Sequence, residues 1–274
     1  MPLASEMGFS SLGPALETPL FEVAAFVLGL IVGSFANVCV HRLPRRESVI
    51  APPSRCPACG ALIRAWDNVP VLSYVLLRGR CRSCRARISP RYPAVEAANG
   101  FAYALLAATG GPSLSTLVAM ALVTALLVLS LIDLDHQILP DAITLPGIVL
   151  GVAASFLPGS ALTPGSAAGA ALGGYASLSA VAWAYKRIRG VEGLGQGDWK
   201  MVAMLGAFLG WRKMLLAFFL ASLAGTAVGV VLIAFRGRSF QHKLPLGTFL
   251  GAAGILVVFV GDAVVSWYGS VLEA

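Results

Sequence analysis

Charged residues are scarce in this sequence. Asp, Glu, Lys and Arg together make up 12% of its 274 residues, whereas a soluble domain usually carries about 25%. Hydrophobic residues make up 57%, and the mean hydropathy is +0.80. This shortage of charge excludes an ordinary soluble enzyme. Apolar stretches of about twenty residues recur along the chain and predict several membrane spans.

Basic residues are missing from two long parts of the chain, before Arg42 and from residue 92 to residue 185. Eleven of the twenty lie in residues 42–91, four in 186–200 and three in 236–243. Such clustering in connecting segments is what the positive-inside rule expects of cytoplasmic loops. The net charge of +7 therefore does not indicate nucleic-acid binding, for which base-reading partners would also be needed.

The first nineteen residues also lack a basic residue, so they have no signal-peptide n-region. We expect residues 1–40 to form an outer tail and a retained first span, and residues 41–93 a small cytoplasmic domain. Residues 94–274 would then form a membrane core. Its spans are predicted at about 94–110, 113–132, 142–158, 166–185, 199–211, 213–235 and 245–268. The expected fold class is an all-α polytopic membrane protein with about eight transmembrane helices, of which 199–211 is short enough to be a broken helix.

Small residues recur at four-residue spacing in two places. Gly165, Gly169 and Gly173 form one series, and Gly29 and Gly33 form another. Such spacing lets helices approach closely in a membrane. It predicts packing and carries no chemistry.

Four cysteines lie in the Arg-rich segment as two Cys-x2-Cys pairs, "CPAC" and "CRSC", with twenty-one residues between them. Two such pairs can close a tetrahedral thiolate site around Zn²⁺. A reducing cytoplasm disfavours the alternative of disulfide bonds. Four protein ligands leave no open coordination position, so the metal would fold the loop rather than catalyse. The predicted ligands are Cys56, Cys59, Cys81 and Cys84.

Acidic residues are few, and two of them lie at the ends of predicted spans. Asp133 in "IDLDHQILPD" ends one span, and Asp198 in "GLGQGDWK" begins another on the same side. An ionisable residue at membrane depth is by default a functional-site hypothesis. Two carboxylates held close can activate a water against a peptide carbonyl, one as base and one as acid.

The residues around this pair have simpler expected roles. Gly195 and Gly197 permit unusual backbone shapes and a close approach by another chain segment. Asp135 would point to a different helical face from Asp133. Asp141, directly after Pro140, is better explained as a helix N-cap than as a catalyst.

Two other classes of function compete with a protease. A proton-coupled transporter would use membrane aspartates as relays, but it would place them nearer the middle of spans and often shows internal repeats. A scaffold whose zinc loop docks a secretion ATPase would explain the cysteines and leave the acidic pair unused. Whether the solubilised protein cleaves a peptide discriminates between a protease and these two alternatives.

Four stretches together resemble the bacterial prepilin peptidases, or type IV leader peptidases. These are "GSFANVCVHRLPR", the two-pair cysteine loop with "RYPAVE" after it, "IDLDHQILPD" and "GLGQGDWKMVAMLGAFLGW". The resemblance implies an intramembrane aspartyl protease of the Gly-x-Gly-Asp type. Such enzymes cut the leader from type IV prepilins and type II secretion pseudopilins at the inner membrane, with the active site facing the cytoplasm.

Carried over motif by motif, the resemblance makes Asp133 and Asp198 the catalytic pair. The supporting residues are Gly195, Gly197, Asp135, Asp141 and Lys200. It makes the four cysteines structural zinc ligands, and it implies N-methylation with S-adenosylmethionine in the region 41–93. No methyl-donor ligand follows from the residues, although Arg91, Glu96 and Gly79 with Arg80 are candidates. The expected partners are prepilins, pseudopilins and membrane lipid.

Overall fold

A computed structural model describes residues 13–191, 193, 195–236 and 244–272, with side chains from residue 19 onward except at 236. Residues 1–12 of the predicted outer tail and most of the loop at 236–244 lie outside this range. These described residues form eight α-helices in succession and contain no β-strand. They are α1 Gly13–Arg42, α2 Leu72–Leu76, α3 Arg91–Gly110, α4 Leu114–His136, α5 Asp141–Ala154, α6 Pro164–Arg189, α7 Gln196–Arg236 and α8 Leu246–Leu272.

In the part of the chain that the structure describes, four helical stretches are long and apolar enough to cross a membrane, namely Pro19–Arg45, Leu114–His136, Gln196–Phe235 and Leu246–Leu272. The third has 40 residues, which is about 60 Å of helix against about 30 Å of hydrocarbon. Gly210 interrupts it with a non-helical backbone at φ 74° and ψ 176°. This break lies within two residues of the junction predicted between 211 and 213.

Contacts divide the chain into two units, one made of residues 1–34 and 55–116 and the other of residues 35–54 and 117–274. In the first, α1 and α3 meet at small residues. A Cβ added at Gly29 would lie 2.8 Å from the Asn99 carbonyl oxygen, and one at Gly33 would lie 2.8 Å from the Glu96 Cα. The fully buried Asn99 amide donates to the Gly29 carbonyl at 2.8 Å. The predicted role of these two glycines is confirmed.

The second unit is built around the first half of α7. Residues 201–210 are buried on every side except at Phe208, and α5, α6 and α8 pack against this helix. A helix that is apolar all round is buried either in lipid or in a protein core, and this segment is enclosed by protein. Its core is completed by side chains of α4 and α8, including Leu126, Leu129 and Leu250.

The small-residue prediction in α6 is correct at one position and wrong at two. A Cβ at Gly173 would meet the Trp211 ring at 2.8 Å, but no described residue lies within 4 Å of such an atom at Gly165 or Gly169. Close packing between α6 and α7 uses another glycine instead. At Gly206 an added Cβ would lie 2.6 Å from the Ala170 carbonyl oxygen.

Gly206→Ala should therefore destabilise the second unit by about 1–3 kcal/mol, because backbone atoms of α6 cannot yield to the extra methyl group. Gly169→Ala is the matched control on the open side of the same helix pair. It should be neutral or stabilising by up to about 1 kcal/mol. Thermal unfolding in one detergent measures both, and equal midpoints for the two variants would contradict this packing.

Candidate active site

Asp133 is buried at the end of α4 and is held by the start of α8. The Asp133 residue is only 5% exposed. The Thr248 backbone N–H donates to Asp133 Oδ2 at 2.7 Å, and Thr248 Oγ1 lies 3.2 Å from the same oxygen. The Thr248 hydroxyl also lies within 3.1 Å of the Ser130 carbonyl. One carboxylate oxygen is thus fixed by α8, which leaves Oδ1 for other contacts.

The first turn of α8 suits a carboxylate because its backbone N–H groups have no partners inside the helix. Gly247 lets this turn come close, since an added Cβ there would lie 2.9 Å from the Asp133 carboxyl carbon. Sequence reasoning missed both Gly247 and Thr248. The sequence signal for them was weak. Gly247 in "LPLGTF" is a small residue at the start of a predicted span, on the same side of the membrane as the aspartates.

Asp198 lies in the first turn of α7, which begins at Gln196. Its backbone N–H donates to the Gly195 carbonyl at 3.2 Å, and its carboxylate accepts a hydrogen bond from the Gly195 backbone N–H. The Asp198 carboxylate thus makes the bond that the acidic residue of a capping box makes, back to the N–H before the helix. The helix start therefore orients Asp198, and the Asp133 carboxylate is near enough to interact with it electrostatically.

The glycines of the Gly-x-Gly-Asp motif lie close to other parts of the site. Gly197 is helical and has no positive φ, so the expectation of an unusual backbone is wrong at that position. A Cβ at Gly197 would lie 2.8 Å from the Leu139 Cβ, and one at Gly195 would lie 3.2 Å from Asp198 Oδ2. A side chain at either position would displace a wall of the site.

A cavity of about 310 Å³ gathers most of the predicted residues. It lies between the end of α4 and the starts of α5 and α7. Its lining consists of Asp133, Gln137, Ile138, Leu139, Asp141, Gly195, Gln196, Gly197, Asp198 and Lys200. Carboxylates from three helices, Asp133 of α4, Asp141 of α5 and Asp198 of α7, thus line one polar space that has room for water.

Asp135 and Asp141 differ in their relation to this cavity. Asp135 is exposed and is not part of the lining. The N-cap prediction for Asp141 is wrong, because Pro140 occupies the cap position and Asp141 is the first helical residue. Its carboxylate instead pairs with Lys200 Nζ at 2.6 Å. This ion pair joins the start of α5 to the start of α7 at the cavity.

The four predicted metal ligands form one cluster in the loop between α1 and α3. Their Sγ atoms all lie within 4.8 Å of one another, and Cys56 Sγ is 3.9 Å from Cys84 Sγ. Tetrahedral zinc at about 2.3 Å from each sulfur requires sulfurs about 3.8 Å apart. All five cysteines of the chain are free thiols. The donor set and its spacing fit a closed zinc site.

The two halves of this cluster have the same backbone design. The first cysteine of each pair donates to the carbonyl five residues on, from Cys56 to Ala61 and from Cys81 to Ala86. The residue after each second cysteine has positive φ, 71° at Gly60 and 61° at Arg85. Each turn therefore places its two sulfurs on the same side.

Hydrogen bonds to the Cys56 sulfur favour its ionised form, whereas the neighbouring thiols oppose ionisation of Cys59. Backbone N–H groups of Cys59 and Ala58 lower the pKa of Cys56 to about 7. At Cys59 the Ala61 N–H lowers the pKa, but bonding with Cys84, burial and bonding with Cys56 raise it to about 11. Four thiolates so close need a cation to neutralise them.

Arg85→Gly should stabilise the zinc loop by about 0.5–1 kcal/mol, because a left-handed backbone strains any residue with a Cβ. The sister turn already has glycine at this position. Chelator resistance of the bound metal measures the effect. Gly60→Arg is the reverse change and should weaken resistance; the same response to both would show that the backbone conformation does not matter.

Two family models match this chain. The Bacterial Peptidase A24 N-terminal domain matches residues 27–109, and the Type IV leader peptidase family matches residues 120–230. A protein of Pseudomonas putida named "Prepilin leader peptidase/N-methyltransferase" is 42% identical over 272 residues, covering 91% of this chain and 94% of its own length. The chain belongs to the type IV leader peptidase family. It is accordingly a multi-pass membrane protein.

Other relatives with the same name support the family assignment. One from Burkholderia pseudomallei (strain K96243) is 42% identical over 273 residues, covering 90% of this chain and 88% of its own length. One from Aeromonas hydrophila is 37% identical over 273 residues, covering 91% and 94%. No solved structure matches the chain significantly. The family models span the cysteine cluster and both aspartates, so both predicted sites lie within the matched parts.

Proposed function

We propose that this chain is an aspartyl endopeptidase that removes leader peptides from type IV prepilins and type II secretion pseudopilins. We propose as well that it N-methylates the residue that cleavage exposes. The observation that carries the protease proposal is a cavity lined by both aspartates, Asp133 at the end of α4 and Asp198 at the start of α7. The names of the relatives support both activities.

The proposed chemistry needs one carboxylate and one carboxylic acid. Two close carboxyl groups keep one proton between them more readily than both ionise. The ionised group takes a proton from water as the water oxygen attacks the scissile carbonyl. The protonated group stabilises the forming oxyanion, and a proton passes to the amide nitrogen as the carbon–nitrogen bond breaks.

The supporting residues hold this pair in position. Thr248 binds one oxygen of Asp133, so the other is directed to water. Gly197 keeps the start of α7 close to Leu139, and Gly195 leaves room for the Asp198 carboxylate. Lys200 and Asp141 join α7 to α5 beside the dyad, while Asp135 stays outside the cavity.

Thr248→Val should lower kcat by about ten- to a hundredfold with little change in KM. The substitution removes the hydroxyl that helps to orient the Asp133 carboxylate. Thr248→Ser keeps the hydroxyl and should retain most of the activity. Ser222→Ala is the control, since it removes a hydroxyl that bonds only within α7, to the Phe218 carbonyl at 2.8 Å. Steady-state cleavage of a prepilin peptide gives both constants. Equal losses for the Val and Ser variants would exclude a role of the hydroxyl.

We propose eight membrane crossings. The part of α7 before Gly210 and the part after it count as two of them. The membrane is the bacterial inner membrane, and the dyad opens to the cytoplasm. The outer tail and first span occupy 1–40, the zinc domain 41–93 and the protease core 94–274. The charge bias supports this orientation. Lys213, on the outer side, is paired with Asp262 at 2.9 Å.

The resident metal of the loop is proposed to be structural Zn²⁺, held by Cys56, Cys59, Cys81 and Cys84. It supplies folding energy to the loop and takes no part in peptide cleavage. S-adenosylmethionine is the proposed methyl donor. We assign no residue to it, because the candidate Glu96 is buried and binds the Val71 N–H, and Gly79 lies against the Tyr74 ring.

Incubation of purified protein with a prepilin and labelled S-adenosylmethionine tests the proposal. Mass spectrometry of the product should show a shortened chain whose new N-terminus carries a methyl group. A cleavage-dead aspartate variant should still methylate a pilin that has already been cut, because the two reactions use different groups. An intact prepilin after prolonged incubation with folded, zinc-loaded protein would refute the protease assignment.

A further inference from the structure

A short helix in the loop between α1 and α3 exposes its apolar side chains and buries its polar one. In α2, Leu72, Val75 and Leu76 are 53%, 63% and 72% exposed, whereas Ser73 is 7% exposed. Residues at this spacing lie on one face of a helix. A helix on a water-soluble surface has the opposite arrangement.

Ser73 also connects this helix to an exposed tryptophan. Its hydroxyl accepts from the Val69 N–H and donates to the Trp66 carbonyl, both at 3.0 Å. Trp66 is 63% exposed and Val69 is 42% exposed. We call Trp66, Val69, Leu72, Val75 and Leu76 the apolar face.

The backbone is held so that this face stays exposed. Val71, directly before α2, has φ 59° and ψ −50°, a region that β-branched residues rarely adopt. Its N–H donates to Oε2 of Glu96 at 2.7 Å, and Glu96 is a buried residue of α3. Strained backbone persists only where the surroundings impose it. The outward apolar face is therefore part of the folded loop.

The surroundings of the apolar face favour lipid as its occupant. The loop continues from a helix that can cross a membrane, so it is tethered to the bilayer. Residues 42–91 contain eleven arginines and two acidic residues, and the Arg64 guanidinium lies 5.5 Å from the centre of the Trp66 ring. Tryptophan and arginine together are typical of the membrane interface. A basic surplus attracts anionic headgroups.

We propose that the apolar face inserts into the interface of an anionic membrane and holds the zinc loop against the bilayer. The five apolar side chains enter the boundary between headgroups and acyl chains. The surrounding arginines bind lipid phosphates. A protein partner would not require the surplus of positive charge.

The experiment uses the full chain in nanodiscs of phosphatidylglycerol and phosphatidylcholine whose acyl chains carry bromine near the headgroup. Bromine quenches tryptophan at short range, and the difference between wild type and Trp66→Phe reports Trp66 alone. We expect bromine to quench Trp66 emission by about half or more, and less in phosphatidylcholine alone. Trp66 emission that bromine leaves unchanged in both lipids would overturn the proposal.

A pair of variants tests the face itself. Val75→Asp with Leu76→Asp should reduce quenching of Trp66 at least about twofold, since charge is excluded from the apolar interface. Ile50→Asp is the control, because Ile50 is 90% exposed in the same loop but is not on the face. The zinc content of each variant checks that the loop is folded. If the double variant loses zinc, the difference in quenching between wild type and Trp66→Phe decides the question. Protection of residues 69–78 from hydrogen exchange by prepilin alone, without lipid quenching, would assign the face to substrate and refute the proposal.

Discussion

Asp133→Asn and Asp198→Asn should each reduce leader cleavage by more than about a thousandfold. Asparagine keeps the size and polarity of the side chain but cannot exchange a proton. The Thr248 N–H can still donate to the amide oxygen at position 133, so the fold should survive. A gel-shift cleavage assay in detergent, with matched protein amounts, measures the loss.

The double variant and a neighbouring acid supply the controls for the dyad. Residues that act as a unit give losses that are not additive, so the double change should be no worse than either single change. Asp135→Asn should retain cleavage, since Asp135 is exposed outside the cavity. Robust cleavage by Asp198→Asn would end the aspartyl-protease proposal.

Cys56→Ser and Cys81→Ser should each abolish stable zinc binding and unfold the loop around it. An incomplete thiolate set loses the metal-binding energy that folds such a domain. We expect less than about one tenth of the wild-type zinc, because serine is a poor ligand for this ion. Metal analysis gives the zinc content, and limited proteolysis within residues 55–90 reports the folding of the loop.

Cys39→Ser is the matched change for the zinc prediction. Cys39 lies in α1 and is not part of the cluster, so this variant should keep its metal. The Cys56 and Cys81 variants should lose less peptide-cleavage activity than Asp133→Asn and Asp198→Asn do, since zinc does not take part in that reaction. Wild-type protein with under about half an equivalent of zinc and full activity would contradict a structural metal.

The helices and the two aspartates could be predicted from the sequence because each leaves a local signal. Apolar runs of sufficient length predict helices in a membrane whatever their neighbours are. Asp133 and Asp198 are conspicuous because a carboxylate flanked by apolar residues is costly unless it has a purpose. The cysteines are equally local, since their spacing alone specifies a four-thiolate site.

The supports of the dyad could not be predicted, because they depend on distant parts of the chain. Thr248 is uncharged and lies 115 positions from Asp133, so nothing in the sequence relates the two. The Lys200–Asp141 pair was hidden for the same reason, and Pro140 made an N-cap the simpler explanation for Asp141. Gly169 and Gly206 show the same limit, since spacing predicts that glycines pack but not which of them meets a neighbour.

The enclosure of the first half of α7 has a consequence for how the enzyme is made. Residues 201–210 are surrounded by protein rather than lipid, so hydrocarbon solvation does not hold this segment in the membrane. Its position depends on α5, α6 and α8, and α8 follows both aspartates in the chain. α8 also supplies the Thr248 N–H that holds Asp133. We therefore expect a chain truncated before α8 to carry both aspartates and yet have no proteolytic activity.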